Sequence, residues 1–329
     1  MMVKMSASDS TYPTSKATLI STLTNNSNSR YIDRLWGYLL QTYDSIDLTL
    51  GGALAIHTFT YWGAGLSLLL FEYGVPTIAG RYKTQPNQTV TARQLFKLLK
   101  RVIFNQILLA AGYFVIRKFR PKKLEDQLDK QCLRPPPSYQ RICADYIFNL
   151  GVFEVVFYCL HRTLHDLRWY KYVHKIHHEF KAPIGLAAEY AHIIELVLSN
   201  IVPGAVGPAI TNAHPISTYI WLFGSLVQTC FHHSGLMLPF YPLNSWTIAH
   251  DWHHAAFTDQ FGVVGLMDTA LKTTGDEAYV GFSNEIWTRM AAGTAGGALL
   301  TRVAASAAIL GRRRARSNMP SQLFASFVR

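Results

Sequence analysis

Apolar and polar positions in this chain alternate in blocks the length of whole helices. Residues 1–30 are rich in Ser, Thr and Asn, show no apolar period, and predict a disordered tail. The first apolar run begins only near Leu48, so no cleavable signal peptide is visible. Residues 31–45 predict an amphipathic helix with Tyr31, Leu35, Tyr38 and Leu39 on one side, suited to a membrane surface. Residues 48–75 are the strongest span, long enough to cross about 30 Å of hydrocarbon. His57 falls inside that run without a second histidine, which reads as a packed residue. A second run, 102–116, is short for a crossing and suits a tilted or half-inserted helix equally well. Lys100–Arg101 and Arg117–Lys118 bracket it, so the positive-inside rule gives no orientation.

The charged, then Pro-rich stretch 120–141 reads as a linker. Residues 142–160 form an apolar helix carrying Asp145, Asn149 and Glu154, polar groups that lipid would not accept and that should face the site or its entry. Glu154 lies seven residues before His161 on the same helix face, where it suits either fixing an imidazole tautomer or an ordinary interhelical bond. Two further apolar runs, 193–213 and 216–231, are broken by Pro203, Gly204, Gly207, Pro208 and Pro215. Together they predict a hairpin that returns the chain to the side it left, with His214 near its tip and remote from the site. The Gly/Ala-rich tail 291–310, followed by Arg312, Arg313, Arg314 and Arg316, predicts a surface or membrane-associated helix.

Between these runs the histidines cluster. HRTLH places His161 and His165 four apart; HKIHH places His174, His177 and His178 at offsets of three and four; HDWHH repeats that spacing at His250, His253 and His254. On a helix such residues share one face, so each cluster can aim its imidazoles at one point. One zinc takes about four ligands. Eight histidines therefore point to two ions in a mostly nitrogen shell, and imidazole suits Fe, Zn, Cu or Ni. Glu189-x-x-His192 adds His192 as a ligand candidate, with Glu189 a weaker one, and one of His232 and His233 should complete the shell.

Composition narrows the setting. The 329 residues are 49% hydrophobic, with a mean hydropathy of +0.10 and net charge +11. That fits a few-span or monotopic membrane enzyme beside anionic headgroups, and no nucleic-acid motif accompanies the charge. Cys132, Cys143, Cys159 and Cys230 form no C-x2-C pair and read as reduced, buried thiols. Asn25-Asn26-Ser27 and Asn87-Gln88-Thr89 are glycosylation sequons, and an occupied Asn87 would place its loop in the lumen.

HRTLH, YKYVHKIHHEFKAPIGLAAEYAH, HHSG and HDWHH together resemble the fatty acid hydroxylase/sterol desaturase superfamily, and within it the C4-methylsterol monooxygenases. FEYGVPTIAGRYKTQ is similar to that subgroup's upstream region, and the likeness covers roughly residues 70–280. It implies an all-α integral membrane protein of the endoplasmic reticulum, with few transmembrane helices under a cytosolic, His-rich di-metal cap. It carries the ligand role to His161, His165, His174, His177, His178, His192, His233, His250, His253 and His254. It implies two Fe ions (zinc being able to fill such sites in purified samples), O2, and electrons from NAD(P)H through cytochrome b5 and its reductase. The segments then read as a tail and interfacial helix at 1–47, membrane helices and a linker at 48–141, a His-box oxidase domain at 142–285, and an extension at 286–329.

Ile193, Leu236 and Ala249 depart from the subgroup's usual proline, tyrosine and histidine, so the substrate is a sterol, a terpenoid or another apolar lipid. The expected reaction is O2-dependent hydroxylation. A desaturase on the same scaffold, a lyase acting on lipid aldehydes and a non-catalytic metal- or sterol-binding protein are the alternatives. Asp166, Asp251 and Glu189 are candidates to offset the metal charge through imidazole N–H groups. Tyr158, Trp169, Tyr190, Phe231 and Trp252 are candidate pocket walls or packing residues. Arg168, Lys171, Lys175 and Lys181 give the cap a basic surface for lipid or an acidic donor.

Overall fold

The computed structural model describes residues 15–25, 29–238 and 241–292; most of the apolar tail expected at 291–310, and part of the first sequon, lie outside them. We number the longer helices α1 Lys16–Asn25, α2 Tyr31–Thr42, α3 Asp47–Gly74, α4 Pro76–Tyr82, α5 Ala92–Phe119, α6 Lys122–Cys132 and α7 Tyr139–Leu164. There follow α8 Ile193–Ile210, α9 Pro215–Ser234, α10 Asn244–Ala256, α11 Leu266–Leu271 and α12 Glu277–Ala292. Among the described residues there is no strand, only an isolated bridge between Lys83 and Leu236. Four helices, α3, α5, α7 and α8, are long and apolar enough to cross a membrane. The protein is an all-helical integral membrane protein.

Helix ends follow local chemistry. Thr91 and Gln94 form a reciprocal capping box at the start of α5. Pro76 and Pro215 occupy first-turn positions, where a missing N–H is harmless. Gly235, at φ 61°, ends α9 in the left-handed region that favours glycine.

The long helices run alternately up and down. Asp47, at the foot of α3, meets Arg117 at the end of α5 at 2.6 Å. Tyr73, at the top of α3, donates to the Val90 carbonyl just before α5 at 3.0 Å. Arg141, early in α7, reaches the Thr211 carbonyl after α8 at 3.4 Å. Tyr219, early in α9, bonds the Leu48 carbonyl, and Cys230, late in α9, packs with Tyr61 and Leu186. So α8 and α9 form the expected returning hairpin, and the histidines before and after it reach the same face. His214 sits at its turn, stacked on Trp36 and accepting from the Ile216 N–H at 3.1 Å, away from the other histidines. Large apolar side chains face outward along the spans, among them Phe59, Leu70, Phe104, Ile107, Phe114 and Ile147, which in a bilayer contact lipid.

Three segments differ from expectation. Residues 16–25 are helical, because Leu19 and Leu23, four apart, bury against Trp36 and Leu40 of α2. Helix α2 is two-faced, with Trp36 and Leu40 inward and Tyr31 and Tyr38 exposed on the side predicted to meet a surface. The stretch read as a linker contains α6, which buries Leu128 and Cys132 and receives the Trp36 indole N–H on the Cys132 carbonyl at 3.1 Å. The short run 102–116 belongs to a 28-residue helix, so length no longer argues for half-insertion. The four cysteines are free, but only Cys132 and Cys230 are buried, while Cys143 and Cys159 are exposed on α7.

This path puts Asn87 and Lys175, both exposed, on the histidine face and Lys123 on the opposite one. In sealed vesicles, with Cys143 and Cys159 replaced by Ser, a membrane-impermeant maleimide should label Asn87→Cys and Lys175→Cys from one side. Lys123→Cys should label only from the other.

Candidate metal centre

Nine histidines converge above the bundle in two abutting groups. His161, His165, His174, His178 and His253 form one; His177, His233, His250 and His254 form the other; within each, the potential ligand atoms lie within 4.8 Å of one another. His161 and His165 come from the last turn and cap of α7, and His233 from the last turn of α9. His174, His177 and His178 lie on a 3-10 turn, His174–Glu179, rather than the expected α-helix. His250, His253 and His254 lie on α10.

The two H-x2-H-H motifs do not each serve one point. His174 and His178 join the first group while His177 turns to the second; His250 and His254 join the second while His253 turns to the first. The motifs are therefore cross-wired, each giving its outer pair to one group and its middle member to the other. The groups touch, with the His178 and His254 rings 4.7 Å apart.

Proton positions follow from the partners of Nδ1. The rings of His161, His177, His233, His253 and His254 present Nδ1 to the carbonyls of Phe261, Tyr190, Thr229, Asp259 and Phe180 at 2.7–3.2 Å. A carbonyl only accepts, so Nδ1 carries the proton and Nε2 a lone pair. His174 makes the same contact with the Glu195 carboxylate at 2.8 Å. Yet the Nε2 atoms stand 2.8–3.2 Å from one another, including His161 with His174 at 3.1 Å and His177 with His233 at 3.2 Å. Opposed lone pairs at that distance repel unless a cation lies between them. Two imidazoles at right angles on a metal with a bond of about 2.1 Å stand about 3.0 Å apart. The donor set thus fits two metal ions.

Burial depresses the proton affinity of His165, His174, His178, His250, His253 and His254 well below the ordinary value, with repulsion from neighbouring rings adding to it. Burial takes His177 down to about 4. Neutral imidazole is the form a metal binds.

The loop after α10 supplies two of the carbonyls and is itself clamped. Glu154 accepts from the N–H groups of Val263, Val264 and Met267 at 2.8–3.0 Å, and Asp268 accepts from Phe261 and Gly262 at 2.8 and 2.7 Å. Any Cβ at Gly262 would stand 2.7 Å from both carboxylates, so only glycine fits there. Glu154 therefore acts on His161 through this loop, not by touching its ring.

Several expected partners lie elsewhere. His192 belongs to neither group; its Nδ1 accepts from the Ile194 N–H at 3.2 Å and caps α8. Glu189 meets His57 and Gln106, each at 3.0 Å, which pairs the histidine read as merely packed. Asp166 pairs with Arg168 at the surface, and Asp251 accepts from Gln85 at 2.8 Å. His232 contacts Gln228 at 3.3 Å and stays outside both groups. The carboxylate on a clustered imidazole is instead Glu195, which lacks any motif signal because it follows His174 by 21 residues in an apolar run. The rings closest to the histidines are Phe157, Phe257 and Phe261, not the five aromatics proposed as walls. A cavity lined by Phe153, Phe157, His161, His177, His233 and Val263 adjoins both groups.

Fold and site together define an all-helical membrane protein with a buried polyhistidine centre. The chain belongs to the fatty acid hydroxylase family: the Fatty acid hydroxylase family model matches residues 146–273, which contain all nine clustered histidines. It is 35% identical over 235 residues to Fatty acid hydroxylase ahd1 of Mycosarcoma maydis, across 71% of this chain and 60% of that protein. It is 34% identical over 238 residues to Fatty acid hydroxylase domain-containing protein 2 of Macaca fascicularis, across 71% of this chain and 69% of that protein. To Methylsterol monooxygenase 1 of Danio rerio it is 30% identical over 240 residues, across 69% of this chain and 78% of that protein. No solved structure matches this chain. The superfamily expected from the histidine motifs is thus the right one, and the relationship to methylsterol monooxygenases holds with it.

Two tests follow from this geometry. Glu154→Ala strips three backbone N–H groups of their acceptor, each costing about 1–3 kcal/mol. Thermal unfolding in detergent should show more than about 3 kcal/mol of lost stability, and a loss under about 1 kcal/mol would contradict the clamp. In metal-stripped protein the folded His177 pKa of about 4 lies below the ordinary 6.5, so the unfolded chain binds more protons between them. Stability should be complete above pH 6.5 and fall as the pH drops toward 4, read as a falling Tm.

Proposed function

We propose that this chain is a di-iron monooxygenase of the endoplasmic reticulum membrane that hydroxylates a sterol or related apolar lipid or terpenoid. In this reading His161, His165, His174, His178 and His253 hold one iron, and His177, His233, His250 and His254 the other. Electrons come from NAD(P)H through cytochrome b5 and its reductase, with the histidine face in the cytosol. The observation that carries the reading is the double set of neutral, buried imidazoles with lone pairs aimed inward, beside a cavity walled by Phe153 and Phe157. The names of the relatives, a fatty acid hydroxylase and a methylsterol monooxygenase, support lipid oxidation.

Bound there, an iron pair would supply O2 activation and removal of hydrogen from an unactivated C–H bond. The chain's own residues do the rest. The five carbonyls and Glu195 keep six of the nine Nδ1 protons in place, so those donor atoms stay available without rearrangement. Phe153, Phe157 and Val263 exclude water and accept an apolar molecule. The cavity lies between α7, α8 and α9, so substrate can arrive sideways from the bilayer. Exposed Lys171, Lys175 and Lys181 offer an acidic electron donor a basic surface on the same face.

The test compares lipid extracts by mass spectrometry from cells expressing wild type or His177→Ala, with O2 and a cytochrome b5 donor system. A product gaining one oxygen, present only with wild type, is expected. A product lacking two hydrogens would make the protein a desaturase. No difference across sterol, terpenoid and fatty-acyl pools would contradict the assignment.

A further inference from the structure

The segment between the second histidine cluster and α8 enters the bundle. Its 3-10 turn, Gly185–Glu189, is buried throughout, as are Tyr190 and Ala191 after it. It lies against α3 and α5 so closely that a Cβ at Gly65 would collide with Leu186, and one at Gly185 would stand 2.9 Å from Leu68 Cδ1. Irregular backbone between membrane helices needs polar partners inside the protein. Tyr61 of α3 donates to the Leu186 carbonyl at 2.5 Å, and Asn105 of α5 to the Ala191 carbonyl at 3.0 Å.

Glu189 is gripped from both helices. Its Oε2 accepts from Gln106 of α5 at 3.0 Å, and its Oε1 stands 3.0 Å from His57 Nε2 of α3. The Gln106 amide is held in one orientation, because its oxygen takes the Trp62 indole N–H at 2.8 Å. A carboxylate only 3% exposed between two spans is expensive, and packing alone would be served by leucine. The grips fall on either side of Tyr190, on the side chain of Glu189 and the carbonyl of Ala191. The Tyr190 carbonyl between them takes the His177 Nδ1 proton at 3.2 Å, the longest of the five carbonyl contacts and the one with least slack.

We propose that Glu189, gripped by His57 and Gln106, is a positioning residue for His177: it fixes the Tyr190 carbonyl and so keeps the His177 Nε2 lone pair turned into the second histidine group. It acts through backbone, as Glu154 does for His161. The first group takes no donor from His177, so loosening this hold should weaken one ion and spare the other. The inference rests on the two-ion reading for its purpose, but the hold on His177 can be measured without any metal.

Purified full chain in detergent, stripped of metal, would be compared as wild type, Glu189→Leu and Glu189→Gln. Leucine keeps the volume and loses both grips; glutamine can accept from Gln106 and donate to a neutral His57. Exchange of each histidine C2–H for deuterium, read by mass spectrometry, should run at least about fivefold faster at His177 in Glu189→Leu, with His161, His165 and His253 within about twofold of wild type. Zinc titration of the same samples should show one of two sites weakened about tenfold or more by Glu189→Leu, and neither by Glu189→Gln. Gln106→Leu, which removes one grip from a neighbouring helix, should repeat the pattern and serves in place of Glu189→Leu if that variant does not fold. Unchanged His177 exchange or unchanged zinc affinity in the leucine variants, equal weakening of both zinc sites, or a glutamine variant as impaired as leucine would overturn the proposal. Wild type taking up fewer than two zinc ions would sink the two-ion reading alone, because the exchange at His177 still decides the positioning role.

Discussion

Nine imidazoles can be buried side by side only while they stay uncharged, and that constraint organises the rest of the molecule. Six of the rings that turn Nε2 inward place the Nδ1 proton on an acceptor, and the acceptors come from widely separated segments. Phe180 and Tyr190 flank the bend between the second cluster and α8; Thr229 belongs to α9; Asp259 and Phe261 belong to the loop after α10. That loop is in turn held by Glu154 and Asp268. Removing any one acceptor would free a ring to flip, and a flipped ring offers an N–H where a lone pair is needed.

The membrane helices serve this arrangement as scaffolding. Long apolar α7 and the α8–α9 hairpin bring His161 and His233, far apart in the chain, to one face, and α10 gives its histidines to both groups. The cross-wiring of the two H-x2-H-H motifs ties both groups to the same two segments. Loss of either segment would dismantle both groups together, which makes the centre one cooperative unit. The departure from α-helical winding in α8 falls where the helix meets the cavity, and Glu195, just before it, reaches His174.

Much of this was legible from residue order. The His clusters, the first span and the returning hairpin all follow from spacing and apolar run length, which are local properties. So does the remoteness of His214, because the turn of a hairpin lies at the far end from its feet. What spacing could not supply were partners set by tertiary approach. Glu195 reads as a stray acid in an apolar run, and only the fold brings it to His174. Glu154, an acid in an apolar helix, announces a buried partner, but that partner is backbone that sequence does not mark. Helices α1 and α6 are short and polar on the surface, so their few buried positions, Leu19, Leu23 and Leu128, fell below the level of a visible period. His192 follows an attractive Glu-x-x-His spacing, yet a bend after Glu189 gives it a capping role instead.

The most direct test of a histidine-built two-iron centre is metal analysis combined with iron X-ray absorption on the purified, iron-loaded full chain. About two irons per chain are expected, in a shell of nitrogen and oxygen atoms with strong imidazole scattering and no sulfur. His174→Ala and His250→Ala should each lower the iron content. Less than one metal per chain under iron-replete conditions, or full iron content after both substitutions, would contradict a two-iron centre.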